Sequence, residues 1–198
     1  MSGFKGLSLD NKLVRRAQTG EAAALAAIFD CFAPAVYTLA RRLCQSDATA
    51  DDLTQETFVV VMKSLPDFRF ESALATWVRR IAVTRCLMHL RSAWEQRATA
   101  LDNQGELPTE PALSRSVDVG IDLEQALERL SPTARTVVWL YDVEGYSHQE
   151  IADLMGKSLS FSKSTLSRAH KQLRVHLDTD SQPVGATKDA NERTRCSL

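Results

Sequence analysis

The chain has 198 residues and a mass of 22.0 kDa, with 24 basic and 25 acidic side chains and a formal net charge of −1. That length fits one large domain or two small ones. Hydrophobic residues at 44% and charged residues at 25% exclude a wholly disordered chain, a collagen-like repeat and a disulfide-dense scaffold. The uninterrupted apolar runs, such as Ala22–Phe29 and Val59–Met62, are shorter than the roughly 18 residues that a membrane span needs. The N-terminus, MSGFKGLSLDNK, carries no apolar signal-peptide core. Cys31, Cys44, Cys86 and Cys196 lie far apart and form no C-x-x-C pair, so free and mostly buried thiols are expected. These features predict a cytoplasmic protein without membrane insertion.

In chain order, a first helix is expected from about Asp10 to Ala17. A second, rich in alanine, runs from Glu21 to about Phe32, bends near Pro34 and resumes to Leu43. Ser46 and Asp47 cap a third, which Pro66 stops after Leu65. A loop over Pro66–Glu71 leads to a fourth helix from about Ala73 to Glu95. At 100° per residue its apolar stripe is Leu74, Val78, Ile81 and Met88, while Arg80, Thr84, Leu87 and Arg91 fall on a second face. Arg85 lies on the apolar side, where a buried ion pair competes with ligand contact as its role. Gln96–Gly120 contains Gly105, Pro108, Pro111 and Gly120 without a sustained period, which predicts a flexible linker.

After the linker, Ile121–Leu130 is a short amphipathic segment. Ser131-Pro132 restarts the helix with a cap and a proline at its first position, and that helix reaches about Asp142. Ser147-His148-Gln149-Glu150 is a capping box. It opens a short helix that Gly156 ends. Ser158 caps a last helix to about Leu177. From Asp178 the chain is polar, with Pro183 and Gly185, and a disordered tail is expected. The predicted fold class is all-α, with two small helical domains joined by a flexible linker. The second is a four-helix domain containing a helix-turn-helix. The expected boundaries are 1–95, linker 96–120, 121–177 and tail 178–198.

The near-zero net charge hides a separation of signs. Gln45–Phe58 holds Asp47, Asp51, Asp52 and Glu56 with no base. Arg69–Arg97 holds six arginines against Glu71 and Glu95, and Lys157–Leu177 holds five bases and no acid. Each run is either a solvated helix face or a contact for a charged partner. Ser147–Leu177 has the form of a helix-turn-helix: a capped helix, a turn with glycine and a basic helix. Ala152 and Gly156, four apart, allow close helix approach. On the last helix Leu159, Leu166, Leu173 and Leu177 share one face with Ala169. The opposite face carries Ser160, Phe161, Ser164, Arg168 and Lys171, whose types suit phosphates, base edges and a thymine methyl.

Three stretches together carry a family resemblance. The segment Leu130-Ser131-Pro132 … Val143-Glu144-Gly145-Tyr146-Ser147-His148-Gln149-Glu150-Ile151-Ala152 … Lys163-Ser164 … Leu166-Ser167-Arg168-Ala169 resembles the promoter-reading domain of bacterial extracytoplasmic-function (ECF) sigma factors. Ala50-Asp51-Asp52-Leu53-Thr54-Gln55-Glu56-Thr57-Phe58 resembles their polymerase-clamp-binding helix. Phe68-Arg69-Phe70 … Thr76-Trp77-Val78-Arg79-Arg80-Ile81-Ala82 … Leu90-Arg91 resembles their promoter-melting segment. The likeness covers roughly residues 10–177.

The resemblance implies core RNA polymerase, promoter DNA and an anti-sigma factor as partners. It assigns polymerase binding to Asp51, Asp52, Gln55 and Glu56. Their spacing, i, i+1, i+4, i+5, puts them on one helix face. Such an acidic face repels DNA and needs a basic protein. Capture and melting of the near-start element falls to Arg69, Phe70, Trp77, Arg80, Thr84 and Arg91, a basic and aromatic set suited to phosphates and unstacked bases. Core packing is the competing role for Trp77, as loop anchoring is for Phe68 and Phe70. The upstream element falls to Ser160, Phe161, Lys163, Ser164, Ser167, Arg168 and Lys171. A factor that binds DNA only with polymerase can be near neutral, with weak, salt-sensitive affinity alone.

The chain departs from the family pattern at the start of the last helix. Gly-Thr-Val-Lys-Ser-Arg is usual there, and this chain has Ser160-Phe161-Ser162-Lys163-Ser164-Thr165. Ser162 at an apolar core position is expected to cost about 1 kcal/mol or more. Phe161 and Thr165 are expected to alter base contacts. In the promoter-melting segment, Thr84 and Met88 stand where Asn and Asp are common. A sigma-like protein with weakened promoter reading, or a stand-alone helix-turn-helix regulator, are the alternatives. No enzymatic role and no cofactor are expected. Ser160-x-x-Lys163 lacks the partner motifs of acylating serine enzymes, and Gly156-Lys157-Ser158 lacks the first glycine of a phosphate loop. Cys86 and His89 stand one helical turn apart, so a zinc site would need two further ligands such as Cys31 or Cys44.

Overall fold

The computed structural model describes residues 3–103 and 123–180, and every regular element among them is helical. α1 (Asn11–Gln18) starts at Asp10, whose carboxylate accepts from the Lys12 amide at 3.1 Å. α2 (Ala22–Cys44) runs unbroken for 23 residues through Pro34, where a bend was expected. Proline removes one backbone donor, and both Asp30 and Pro34 lie on the exposed side, so the lost bond falls where water reaches it. The buried row Ile28, Phe32, Ala35, Val36, Leu39, Ala40 and Leu43 continues past it. α2 is thereby long and apolar enough, by length and composition, to cross a membrane. Here it is a core helix covered by α1, α3 (Asp47–Ser64) and α4 (Leu74–Asn103). Fully burying side chains such as Phe32, Ile28 and Leu39 contributes about 1.5–3 kcal/mol each.

Ser46 caps α3 by accepting from the Thr49 amide at 3.2 Å. A 3-10 turn, Leu65–Asp67, ends it at Pro66. α4 extends to Asn103, into the stretch expected to be linker. The rest of that stretch, with its prolines, lies outside the described residues, as does the chain after Asp180. The core face of α4 is Leu74, Ala75, Val78, Ala82, Val83, Cys86, Leu87 and Leu90. Met88, placed on the apolar stripe by periodicity, is 56% exposed, because α2 and α3 flank the helix and set a core face offset from that stripe. Arg85 is half-buried and forms no ion pair among the described residues, so the buried-pair role does not hold.

The second unit is α5 (Leu123–Glu128), α6 (Pro132–Val138) with a π-helical extension over Trp139–Val143, α7 (His148–Met155) and α8 (Leu159–Asp180). α5, α6 and α7 all pack on α8. Leu166, Ala169 and Leu173 are buried, as their spacing predicts. Leu159, expected in that row, is 39% exposed at the start of the helix, and Ser162 and Thr165 take the buried positions there. The side chain of Leu177 lies outside the described residues.

Candidate nucleic-acid interface

Three surfaces carry the candidate residues. On α3, Asp51, Asp52, Gln55 and Glu56 are all exposed, while Ala50, Leu53, Thr54, Thr57, Phe58 and Val61 face the core. The acidic face continues one turn on into Val59, 51% exposed. Phe29 of α2, 41% exposed, stacks in tilted contact on Phe58 with ring centroids 4.7 Å apart. Sequence reasoning missed this apolar margin, since only the α2–α3 packing brings Phe29 to α3.

The second surface is the loop before α4 and the outer side of that helix. Phe68 is buried, and its ring lies 5.0 Å from Phe70 and 5.1 Å from Trp77. Phe68 thus anchors the loop, while Phe70 and Trp77 are half-buried in the cluster. Phe70 adopts a left-handed backbone (φ 61°), and the Arg15 guanidinium covers its ring at 4.8 Å. A non-glycine residue in that conformation is held against an intrinsic cost by its surroundings. Arg69, Arg80, Thr84 and Arg91 are exposed. Thr84 spends its hydroxyl on the Arg80 carbonyl at 2.8 Å.

The third surface is the helix-turn-helix. Ser147 and Glu150 close the capping box of α7: the Ser147 amide and hydroxyl both donate to Glu150 Oε2 at 2.8 Å. The bond from the Ser147 amide, then that from its hydroxyl, with Arg79 and Arg80 nearby, holds the Glu150 carboxyl below its ordinary value. Gly156 ends α7 in a left-handed conformation (φ 64°). On α8, Ser160, Lys163, Ser164, Ser167, Arg168 and Lys171 are exposed, and Phe161 is half-buried under Lys157. Arg168 donates to the Ser164 carbonyl at 3.1 Å and to its hydroxyl at 3.3 Å, so these two groups are already organised together. Thr165 is buried and faces away from any groove. Ser162 is fully buried, yet its hydroxyl lies 3.0 Å from His148 Nδ1. The His148 ring in turn stacks on Tyr141 at 4.4 Å. Lys163, Ser167, Lys171 and Arg174 line a shallow cleft of about 640 Å³ with His148 and His170. No group of three potential metal ligands occurs among the described residues.

Residues 28–96 match the Sigma-70 region 2 family and residues 121–173 the Sigma-70, region 4 family. The chain is 33% identical to the RNA polymerase sigma factor YlaC of Bacillus subtilis over 135 residues, covering 65% of this chain and 78% of that protein. It belongs to the ECF sigma factors of the sigma-70 family. The ECF RNA polymerase sigma factor SigE of Mycolicibacterium smegmatis is 34% identical over 147 residues, which span 72% of this chain and 57% of SigE. The sigma factor RpoE of Bartonella quintana, solved in complex with the anti-sigma factor NepR, superposes with a TM-score of 0.51 at 25% identity, covering 75% of this chain and 92% of that one.

In this sigma factor the region 2 and region 4 units touch. Arg79 of α4 donates to the Glu144 carbonyl at 2.6 Å, lies 3.9 Å from its buried carboxylate and sits over the Tyr146 ring at 4.8 Å. The buried Arg135 of α6 donates to the Leu43 carbonyl at 3.3 Å, and Arg42 lies over the Trp139 ring at 5.9 Å. The crevice along Arg42, Gln45, Arg135 and Trp139 holds only about 10 Å³, barely one water. Arg91 reaches within 3.6 Å of the place a Cβ on Gly156 would take. The outer side of α4 at Arg91 therefore lies beside the end of α7. Arg79, Arg135 and Trp139 carry this contact and went unrecognised in sequence. Each reads as an ordinary member of its helix until the two units are placed together.

Proposed function

We propose that this chain binds core RNA polymerase and directs it to promoters that carry two elements, one read by each unit. The polymerase performs the chemistry and the chain itself is no enzyme. The supporting observation is the division of surfaces: one exposed acidic face on α3 and two basic faces on separate units. Asp51, Asp52, Gln55 and Glu56 would meet a basic helical element of polymerase, with Phe29 and Val59 as the apolar margin of the same contact. Arg69, Phe70, Trp77, Arg80, Thr84 and Arg91 would hold the near-start element. Their arginines suit phosphates, and the half-buried rings of Phe70 and Trp77 suit unstacked bases. Ser160, Phe161, Lys163, Ser164, Ser167, Arg168 and Lys171 would enter the major groove of the upstream element. An anti-sigma protein is the partner proposed for the free chain, by likeness to the complex of RpoE with NepR, and the cytoplasm is the proposed site of action.

The test mixes purified chain with bacterial core RNA polymerase and a promoter library and sequences the transcripts. Discrete starts are expected, and they should disappear when Asp51, Asp52 and Glu56 are all changed to Ala. Tight DNA binding by the chain alone, without polymerase association, would overturn the proposal in favour of a stand-alone regulator.

A further inference from the structure

The core face of α4 is covered by α2 and α3, yet the helix carries a second apolar row outside that contact. Trp77 and Ile81 are half-buried, Thr84 is exposed, and Met88 is 56% exposed. Their spacing, i, i+4, i+7 and i+11, places them on one strip of the helix. At 100° per residue the exposed Arg80 and Arg91 run along one edge of that strip, within about 70° of its centre. Beyond Trp77 the strip has little hydrogen-bonding capacity. The Thr84 hydroxyl donates its single proton to the Arg80 carbonyl at 2.8 Å. Ile81 has no polar side-chain atom, and the Met88 thioether is only a weak acceptor. Single exposed apolar side chains are ordinary on a protein surface. A row of them beside two arginines fits a ligand that is anionic in one part and apolar in another. DNA has that form, with phosphates for the arginines and bases for the row. We propose that Ile81, Thr84 and Met88 read a thymine of the near-start element through its C5-methyl group. This rests on the reading of the chain as a promoter-binding factor, and it adds Ile81 and Met88 to the residues that hold the element.

The choice of base follows from what the row lacks. Adenine, guanine and cytosine present donors and acceptors at the groove edge, while thymine adds a methyl group there. A polar edge pressed against this row would give up its hydrogen bonds to water and find no donor in return, because that of Thr84 is spent. The methyl of thymine loses nothing by the same contact and is removed from water. Thr84 and Met88 stand about 6 Å apart along the helix axis, so one base edge can touch both. Methionine is unbranched and polarisable, which lets its side chain settle against the ring as well as the methyl. Arg80 and Arg91 would take the flanking phosphates, which fixes the register of the strand and carries no base preference.

The near-start element is first defined with the full chain, core RNA polymerase and a promoter library. Each thymine of that element is then replaced in turn by deoxyuridine, which removes the methyl and keeps the pairing. The concentration of polymerase complex that half-saturates open-complex formation is measured. At one position the change should weaken the wild type about three- to fivefold, the worth of one buried methyl group. Met88→Ala should abolish the thymine–uracil difference at that position alone, and Thr84→Ser should reduce it. Met88→Leu and Thr84→Val keep an apolar group in place and should retain it. Both positions are exposed, so these changes leave the core face of α4 intact. Equal use of thymine and uracil at every position would overturn the proposal, although discrete starts still upheld the function. A difference that survives Met88→Ala would also overturn it and give the row to a protein partner. Loss of discrete starts with wild-type protein on unmodified DNA would overturn the function itself, and this inference with it.

Discussion

Ser162 shows how a single side chain changes meaning once its neighbours are known. Its burial follows from the helix period, and an isolated hydroxyl at that depth costs stability. The His148 ring supplies the partner at 3.0 Å and is itself held by stacking on Tyr141. The expected penalty is therefore offset by a bond that no spacing in the sequence announces, fourteen positions away. Replacing His148 by Ala should strand the hydroxyl and cost about 1–3 kcal/mol in urea denaturation. Replacing Ser162 by Ala in that background should recover part of the loss, so the double variant costs less than the two single changes summed. Strict additivity would show that the pair does not interact. The aromatic loop follows the same logic. Phe68, Phe70 and Trp77 were legible as candidates, but whether each ring anchors or recognises depends on burial, which divides Phe68 from the other two.

Among the elements, α7 and its turn were the most legible, because capping is local. The Ser147–Glu150 box and the left-handed Gly156 use residues within three or four positions of each other, and those residue types have few other uses at such spacing. Ser147→Ala should destabilise the region 4 unit by about 1 kcal/mol, read from its unfolding midpoint. The Glu150 carboxyl is held low in the folded state. Its contribution is therefore full above the unfolded value of about 4.3 and is lost as pH falls through the lower folded value. Glu150→Gln should remove that acid-dependent share, so the stability gap between wild type and variant narrows as pH is lowered below about 4.3. A gap that stays constant across that window would refute the assignment. The long helices were less legible. α2 passes through Pro34 because the lost hydrogen bond lies on the exposed side, and Met88 leaves the core stripe because the faces of α2 and α3 decide which side of α4 is covered.

For the whole molecule, the consequential feature is the seam between the two units. Arg79 donates a charged hydrogen bond to Glu144 and covers Tyr146, and Arg135 and Arg42 hold the other end at Leu43 and Trp139. Arginine suits this role because its planar, always-charged head can bond and stack at once. Arg79→Ala should loosen the seam and raise the radius of gyration of the free chain in small-angle X-ray scattering. An unchanged value would mean that Arg135 and Trp139 suffice to hold the units together. With Arg91 close to Gly156 and Glu150 near Arg79 and Arg80, α4 cannot present all its arginines to DNA while α7 stays against it. A promoter complex that uses this face should therefore show the two units separated, which distance measurements between labels on α4 and α7 would register.

By itself the sequence determined the helical class, the two-unit organisation, the acidic face of α3 and the exposed basic row of α8. These follow from local causes: period, caps, turn residues and charge spacing act within a few positions along the chain. Tertiary structure alone decided that Ser162 has His148 as partner, that Phe29 of α2 is brought to the margin of the acidic face, and that Arg79 and Arg135 join the units. Each of these depends on which faces of distant helices pack together, and that choice belongs to the burial of the whole core rather than to any one segment.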